Sequence, residues 1–300
     1  MKKEKSSFLL GHFYVFLATF LISGSVIACK LLANSMNPLG LTLLRFIIAT
    51  IVFAPLVLFS KSKRNQIRRA LPRSFFISFF YSMYFVAMFA ALADTNVLHV
   101  GTLGTLAPLV TALIGIPFFG TRVGWTKLLV YLIAMVGTSI IVFNGSLQTM
   151  LHFSMNHGDL IYLIGVLLIS LYYTALRGLH GGIDPSVLAF CTLLCGTFWI
   201  AGSMVVLQVP LDISKISTLT EITSLLYVAI FTTCLTAYLF QKGSTLLSST
   251  RVSAYQFTQP ILVAIMAIFI FGDVPSVLGW IGAGISIIAT VVLLSMKEKQ

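Results

Sequence analysis

Ten runs of mostly apolar residues dominate the chain and leave little room for any other kind of structure. A helix needs about 20 such residues to cross the hydrocarbon core of a bilayer. The runs cover about 12–33, 39–59, 74–93, 99–119, 125–143, 159–178, 187–207, 222–241, 251–271 and 277–296. They lack the alternation of apolar and polar residues that is typical of a membrane β-barrel. The sequence therefore predicts an all-α membrane protein with ten transmembrane helices.

The composition excludes the functions that a soluble, strongly basic protein would suggest. Charged residues make up 9% of the chain and hydrophobic residues 58%, whereas soluble domains carry about 25% charged residues. The net charge is +11, but the basic residues interrupt apolar runs, so we expect no nucleic-acid partner. The four cysteines lie in apolar runs without CxxC spacing, and we expect no disulfide framework, metal site or cofactor.

The basic residues predict the orientation in the membrane. Segment 61–73 carries six of them, which places the joint between spans two and three in the cytoplasm. Alternation then puts both termini and sixteen of the nineteen basic residues in the cytoplasm, leaving Lys30, Arg45 and Lys215 outside or in the outer half. We expect a multi-pass protein of the cytoplasmic (inner) membrane, with membrane lipids as its neighbours.

The chain contains an internal repeat. A shift of 147 residues aligns 11–38 with 158–185 without gaps. The identical pairs are Gly11/Gly158, Leu21/Leu168, Ile22/Ile169, Ser23/Ser170, Ala28/Ala175, Leu32/Leu179 and Pro38/Pro185. A shift of 152 pairs Val100, Pro108 and Phe119-Gly120 with Val252, Pro260 and Phe271-Gly272. The sequence thus predicts two five-helix repeats, 1–150 and 151–300. Because five is odd, the second repeat is inverted, as in transporters that work by alternating access.

These features carry a resemblance to a known family. They include the repeat, Leu44-Arg45-Phe46 in span two, Pro108 with Pro260, and Phe119-Gly120 with Phe271-Gly272-Asp273. The chain resembles the drug/metabolite transporter superfamily, in particular its ten-span EamA type. The resemblance implies that spans five and ten pack outside a substrate cavity. Span ten has a small-residue row, Gly282, Ser286 and Thr290, that is suited to close helix contact.

Arg45 is the charged candidate for the substrate site, because charge inside a membrane is costly and usually functional. One interpretation is a contact with a carboxylate or another anion, since a guanidinium matches a carboxylate in bidentate geometry. The alternative is a side chain that reaches back to lipid headgroups or to a neighbouring carbonyl.

Uncharged polar residues near span midpoints are the other candidates for the substrate cavity. They are Ser23, Tyr81, Tyr84, Thr105, Ser170, Tyr173, Thr233, Gln256 and Gln259. The alternative for the hydroxyl groups is hydrogen bonding between packed helices. Pro108 and Pro260 each remove a backbone donor, and their equivalence under the repeat predicts hinges in spans four and nine.

All eight acidic residues and all five histidines fall in loops or at span ends. The sequence therefore offers no buried proton relay, and we expect facilitated or gradient-driven transport. No span supplies a catalytic nucleophile with its base, so we expect no enzymatic activity.

The leading hypothesis is a transporter of small organic metabolites that works by alternating access. The resemblance suggests amino acids or related zwitterions as substrates, with export as the expected direction. One alternative is uptake of a nucleotide-like or sugar-nucleotide solute, which would predict further basic residues in the cavity. Another is a membrane-embedded enzyme that modifies lipids. For the assembly we expect a monomer or a weak homodimer.

Overall fold

The computed structural model describes residues 2–32, 37–92, 94–95, 97–121, 123–152, 155–213, 216–272 and 274–296. Within these ranges the chain is helical and has no strand. The α-helices are α1 (Lys2–Leu32), α2 (Pro38–Leu58), α3 (Lys61–Arg64), α4 (Ile67–Leu92), α5 (Val97–Gly104), α6 (Ala107–Phe119), α7 (Trp125–Val142), α8 (Leu147–Leu151), α9 (His157–Gly178), α10 (Pro185–Val206), α11 (Leu219–Ala229), α12 (Thr236–Leu246), α13 (Ser249–Ala254), α14 (Gln259–Phe271) and α15 (Val277–Ser295).

Ten segments of the described chain are helical, long enough and apolar enough to cross a membrane. They coincide with the ten predicted runs, so the predicted fold class is confirmed. Span three begins earlier than predicted, since α4 starts at Ile67 rather than near 74. Its first two turns carry Arg68, Arg69 and Arg73, whose long apolar stems let the charge reach water from within a helix.

Spans four and nine are both interrupted just before the prolines that the repeat aligns. In span four, α5 ends at Gly104 and α6 begins at Ala107. In span nine, α13 is followed by a 3-10 segment, Tyr255–Thr258, before α14 begins. Pro108 and Pro260 take the second position of the new helix, where the missing N–H costs no intrahelical hydrogen bond.

Span eight contains a π-helical turn, Ile230–Leu235, between α11 and α12. The Val228 carbonyl accepts hydrogen bonds from the hydroxyls of Thr232 and Thr233, each at 2.9 Å. Such turns hold one extra residue and change which side chains face a neighbouring helix. No feature of the sequence had predicted this turn.

The contacts within the chain divide it into two compact units. The first unit comprises 1–89 and 175–247, and the second comprises 90–174 and 248–300. Each unit takes segments from both halves of the sequence. The repeats 1–150 and 151–300 are defined by sequence similarity, whereas the two units are defined by contacts. The division into repeats stays a prediction.

The first unit is held by the packing of α2 against α10. Phe46 is 1% exposed and lies in a buried cluster with Phe85, Ile200 and Met204. A Cβ on Gly196 would lie 2.6 Å from the Phe46 ring, so only glycine allows this approach of the two helices.

The second unit is held by the packing of α7 against α15, which are spans five and ten. A Cβ on Gly137 would lie 2.8 Å from the Gly282 carbonyl oxygen, and the Thr138 and Ser286 hydroxyls are 2.8 Å apart. The expected close contact of the small-residue row is therefore confirmed for Gly282 and Ser286.

Candidate functional site

Arg45 lies inside the first unit, about two turns after the start of α2. The helix begins at Pro38, with the Asn37 side chain accepting a hydrogen bond from the Leu39 N–H. Arg45 is 7% exposed, and its Nε–H donates to the Thr233 hydroxyl oxygen at 3.1 Å. A side chain so buried does not reach back to lipid headgroups, which removes that part of the alternative interpretation.

The π-helical turn of span eight positions Thr233 for this contact. A threonine hydroxyl in an α-helix usually bonds to the carbonyl three or four residues earlier. The Thr233 hydroxyl instead donates to the Val228 carbonyl, five residues earlier. Because the hydroxyl proton is used there, the oxygen is left as an acceptor for Arg45.

The Phe85 ring lies over the guanidinium of Arg45. Its central carbon lies 5.7 Å from the centroid of the Phe85 ring, within the range of a cation–π interaction. Phe85 in turn contacts Tyr81 and Tyr84, with ring centroids 5.1 and 5.3 Å away. The arrangement places one positive charge against polarisable apolar surface rather than against an acid.

Within the described part of the chain, most of the hydrogen-bonding capacity of Arg45 is unused. A guanidinium has five N–H donors. Among the described residues, only the Thr233 hydroxyl accepts a hydrogen bond from Arg45, and no acidic side chain pairs with it. The terminal nitrogens have no hydrogen-bond acceptor among the described residues, and the planar guanidinium has the geometry that matches a carboxylate.

In the second unit, Gln256 and Tyr173 form a neutral polar contact. The Gln256 amide donates from Nε2 to the Tyr173 hydroxyl at 2.9 Å. Gln256 lies in the 3-10 segment just before Pro260, and Tyr173 lies on α9, so the bond joins the interruption of span nine to span six. Gln259 opens α14 one residue before Pro260.

Besides Thr233, three candidate hydroxyl groups donate to backbone carbonyls. Ser23 bonds to the Thr19 oxygen at 2.8 Å and Thr105 to the Thr102 oxygen at 2.6 Å. Ser170 lies 2.7 Å from the Val166 oxygen and 3.1 Å from the Ala107 oxygen, beside the interruption of span four. These bonds fit the packing interpretation of these three residues.

The structure thus brings some candidates together and leaves others apart. Arg45 and Thr233 share a hydrogen bond, and Phe85 links Arg45 to Tyr81 and Tyr84. In the second unit, Gln256 and Tyr173 share a bond, whereas Ser170 and Thr105 lie near the turn before Pro108. Whether any of these residues lines a substrate path stays a prediction.

Gln241 was missed by the sequence reasoning, although an amide within an apolar span was a usable signal. It is 1% exposed, and its Nε2 lies 3.4 Å from the Thr192 hydroxyl. Its Oε1 has no partner among the described residues. The repeat aligns Thr192 with Arg45, so α2 and α10 each present a polar residue to span eight at equivalent positions.

Asp184 is the acidic group at the turn before α10, outside the spans. Its side chain accepts a hydrogen bond from the Ser186 N–H at 2.8 Å and caps the helix. Partial burial acts to raise the pKa of this carboxyl. The hydrogen bonds from Ser186 and the charges of Lys63 and Lys242 prevail, so the pKa of Asp184 lies below its ordinary value.

The described residues contain no group of three or more His, Cys, Asp or Glu side chains that could hold a metal ion. Cys191, Cys195 and Cys234 are buried thiols. Arg45, Thr233, Phe85, Tyr81 and Tyr84, which we call the Arg45 cluster, offer hydrogen bonds, charge and aromatic surface.

Comparison with known proteins gives one family and a shared fold. The model of the EamA-like transporter family matches residues 9–143 and 156–295. A relative from Bacillus subtilis (strain 168), the Uncharacterized transporter YwfM, is 27% identical over 90 residues, and the match spans 30% of the length of each protein. A protein of known crystal structure has the same fold, with a TM-score of 0.77 over 96% of both chains at 18% identity.

Ten apolar helices together with these matches define an integral, multi-pass membrane transporter. Within that class, the chain belongs to the EamA-like transporter family.

Proposed function

We propose that this transporter carries small organic metabolites with a carboxylate group, amino acids or related zwitterions first among them. Arg45 binds the carboxylate, and export by alternating access is the direction and the mode of transport. The single observation that carries the proposal is the buried Arg45 guanidinium, whose terminal nitrogens donate to none of the described residues.

The physical case starts from the cost of a buried charge. An arginine at the centre of a membrane helix costs about 2.5–3.5 kcal/mol on insertion scales. Thr233 and the Phe85 ring offset part of this cost, but neither carries a negative charge. A substrate carboxylate would supply the missing charge at a site where the surroundings are poor in water, and its attraction to the guanidinium is strong there.

In the second unit, Gln256 and Gln259 lie beside the interruption of span nine and supply side-chain amides as hydrogen-bonding groups. Pro108 and Pro260 serve as hinges in the proposed transport cycle, because helices bend where the backbone ladder is already interrupted.

Transport of a nucleotide-like solute is less well supported, because a phosphate would call for several cations. Arg45 is the single cation of the Arg45 cluster among the described residues. Lipid modification by Cys191 or Cys195 is also disfavoured, since both thiols are buried on α10. We infer a transporter without enzymatic activity, with a small-molecule substrate, as a monomer or a weak homodimer.

The proposed location is the cytoplasmic membrane with both termini in the cytoplasm. Sixteen of nineteen basic residues support this orientation. Reporter fusions after residue 65 and after residue 210 should report opposite sides of the membrane. The same side for both would contradict the orientation.

The function is tested by transport into proteoliposomes from a mixed pool of metabolites, with and without a pH gradient. Carboxylate-bearing solutes should move without a gradient of protons. Arg45→Ala should lower their transport rate by at least about tenfold, as expected for the loss of a charge-assisted hydrogen-bond pair. Arg45→Lys should keep only part of the wild-type transport rate, because an ammonium lacks the bidentate geometry of a guanidinium.

Arg64→Ala is the matched control, since Arg64 is exposed on α3. An equal loss in both variants would contradict the role of Arg45. Preferred transport of nucleotides, strict dependence on a proton gradient, or lipid hydrolysis without transport would each contradict the corresponding part of the proposal.

A further inference from the structure

The start of span three and the short helix before it carry a dense patch of positive charge. Segment 61–73 contains six basic residues and no acidic one. Four of the basic side chains are exposed: Lys61, Arg64, Arg68 and Arg69. None of the six forms an ion pair with an acidic side chain among the described residues. Their charge is therefore available to a partner outside the chain.

The acid of the neighbouring turn does not neutralise the arginines of this patch. The charges that act on Asp184 are those of Lys63 and Lys242. Arg68 and Arg69 have no such counterpart within the described part of the first unit. An anion bound there would meet two guanidinium groups without competition from a carboxylate.

Contacts with the turn before α10 fix the position of the patch. Arg69 donates from Nη2 to the Gly181 carbonyl oxygen at 3.2 Å. A Cβ on Gly181 would collide with the guanidinium of Arg73, so glycine allows that arginine to lie against the turn. The Nη1 of Arg73 is buried and has no acceptor among the described residues. Two arginines one helical turn apart are thus held beside Gly181.

An exposed apolar face of α4 begins directly beyond the arginines. Leu71, Phe75 and Phe76 are 36%, 46% and 60% exposed. Residues three, four or seven apart lie on one side of a helix, so Arg68, Leu71 and Phe75 form one row. Arg69 and Phe76 form a second row beside it. Positive charge and exposed apolar surface therefore follow one another along the same face.

This order of charge and apolar surface matches a phospholipid. A guanidinium binds phosphate oxygens in bidentate geometry, and the face beyond it is suited to acyl chains. A soluble anion would use the arginines but not the apolar face. A lipid with a neutral headgroup would use the face but would leave the positive charge uncompensated.

We propose that Arg68 and Arg69 bind the phosphate of an anionic phospholipid whose acyl chains lie along Leu71, Phe75 and Phe76. In the proposed orientation this lipid belongs to the cytoplasmic leaflet, where anionic headgroups attract basic segments next to a membrane helix. The site lies within the first unit and does not depend on the identity of the transported substrate.

The test is lipid binding to the purified full-length protein in detergent, measured by native mass spectrometry. Phosphatidylglycerol is compared with phosphatidylcholine that carries the same acyl chains. The wild type should bind phosphatidylglycerol about tenfold more tightly, as expected when two basic residues act on one anionic headgroup. The double variant Arg68→Gln with Arg69→Gln should bind both lipids alike.

Lys61→Gln with Arg64→Gln is the matched control. It removes two exposed charges from the same segment but from α3, and each double variant keeps four of the six basic residues. The control should change the affinity for phosphatidylglycerol by less than about threefold, because salt screens charges that do not contact the headgroup. Glycerol 3-phosphate in excess should not displace the lipid, since it has no acyl chains.

An equal loss of affinity in the two double variants would overturn the proposal and assign the binding to diffuse surface charge. Equal binding of both lipids by the wild type would also overturn it, and displacement by glycerol 3-phosphate would identify a site for a soluble anion instead. If the double variant does not fold, Arg68→Gln alone decides, and it should weaken the binding of phosphatidylglycerol about threefold. Because this binding needs no transported substrate, failure here is distinct from failure of the proposed function.

Discussion

Arg45 in the first unit and Asp159 in the second are both buried charges on apolar helices, and their surroundings differ. Asp159 accepts hydrogen bonds from Thr95 and Asn156 and pairs with His99. Arg45 donates one hydrogen bond, to Thr233, and rests on an aromatic ring. The described residues offset the cost of burying the Asp159 charge. They offset the cost of burying the Arg45 charge only in part.

The difference teaches that burial alone does not identify a functional charge in a membrane. A charge whose partners are all supplied by the chain stabilises the fold. For a charge whose donors are not used by the described residues, as at Arg45, we propose a partner from outside the chain. The two residues should therefore fail in different ways when they are changed.

The largest expected effect is on stability, at Asp159. Asp159→Ala removes the fully buried acceptor of three hydrogen bonds, so it should lower the free energy of unfolding by about 3 kcal/mol. Unfolding of the purified protein in detergent measures this change. Asp94→Ala is the control, because Asp94 is an exposed acid in the preceding loop. Equal stability of the two variants would remove the contrast with Arg45.

The second prediction concerns the positioning of Arg45. Thr233→Val removes the oxygen that orients the guanidinium, and it should lower transport of carboxylates about fivefold, since a typical hydrogen bond contributes about 1 kcal/mol.

Thr232→Val is a closely matched control for Thr233. Thr232 is as buried as its neighbour and bonds to the same Val228 carbonyl, but its hydroxyl is not bonded to Arg45. Transport by this variant should equal that of the wild type. A similar loss in both would show that the π-helical turn matters only for packing.

The smallest expected effect is at Asp184, an acid that is only partly buried. Because its pKa is lower in the folded protein than in the unfolded chain, its ionised form stabilises the fold above about pH 4. That contribution is lost as the pH falls through the lowered pKa. Asp184→Asn keeps a capping side chain, so at neutral pH it should change stability only slightly, and it should flatten the acid limb of a stability-against-pH profile.

A steep acid limb that persists in Asp184→Asn would assign the pH dependence to other groups. Asp184 would then cap the helix without its charge affecting stability. Only the two buried charges, Arg45 and Asp159, would remain to be compared.

The sequence was most informative where the deciding property is local. Pro108 and Pro260 marked the interruptions of spans four and nine, because a missing N–H affects the helix that contains it. The sequence was least informative at Asp159, since a position at the end of a span does not indicate which side chains bury it. The π-helical turn at 230–235 was also missed, because its residues have no composition that separates them from an ordinary helix.

The sequence by itself determined the ten helices, the interruptions of spans four and nine, and the candidacy of Arg45. Hydropathy, proline geometry and the cost of burying a charge depend on the residues themselves and on their order along the chain. Only the tertiary structure decided which charges are satisfied, because the partners lie far away in sequence. Thr233 is 188 residues from Arg45, and Asp159 is 60 residues from His99. A hydrogen bond depends on distance in space, and folding alone brings such atoms together.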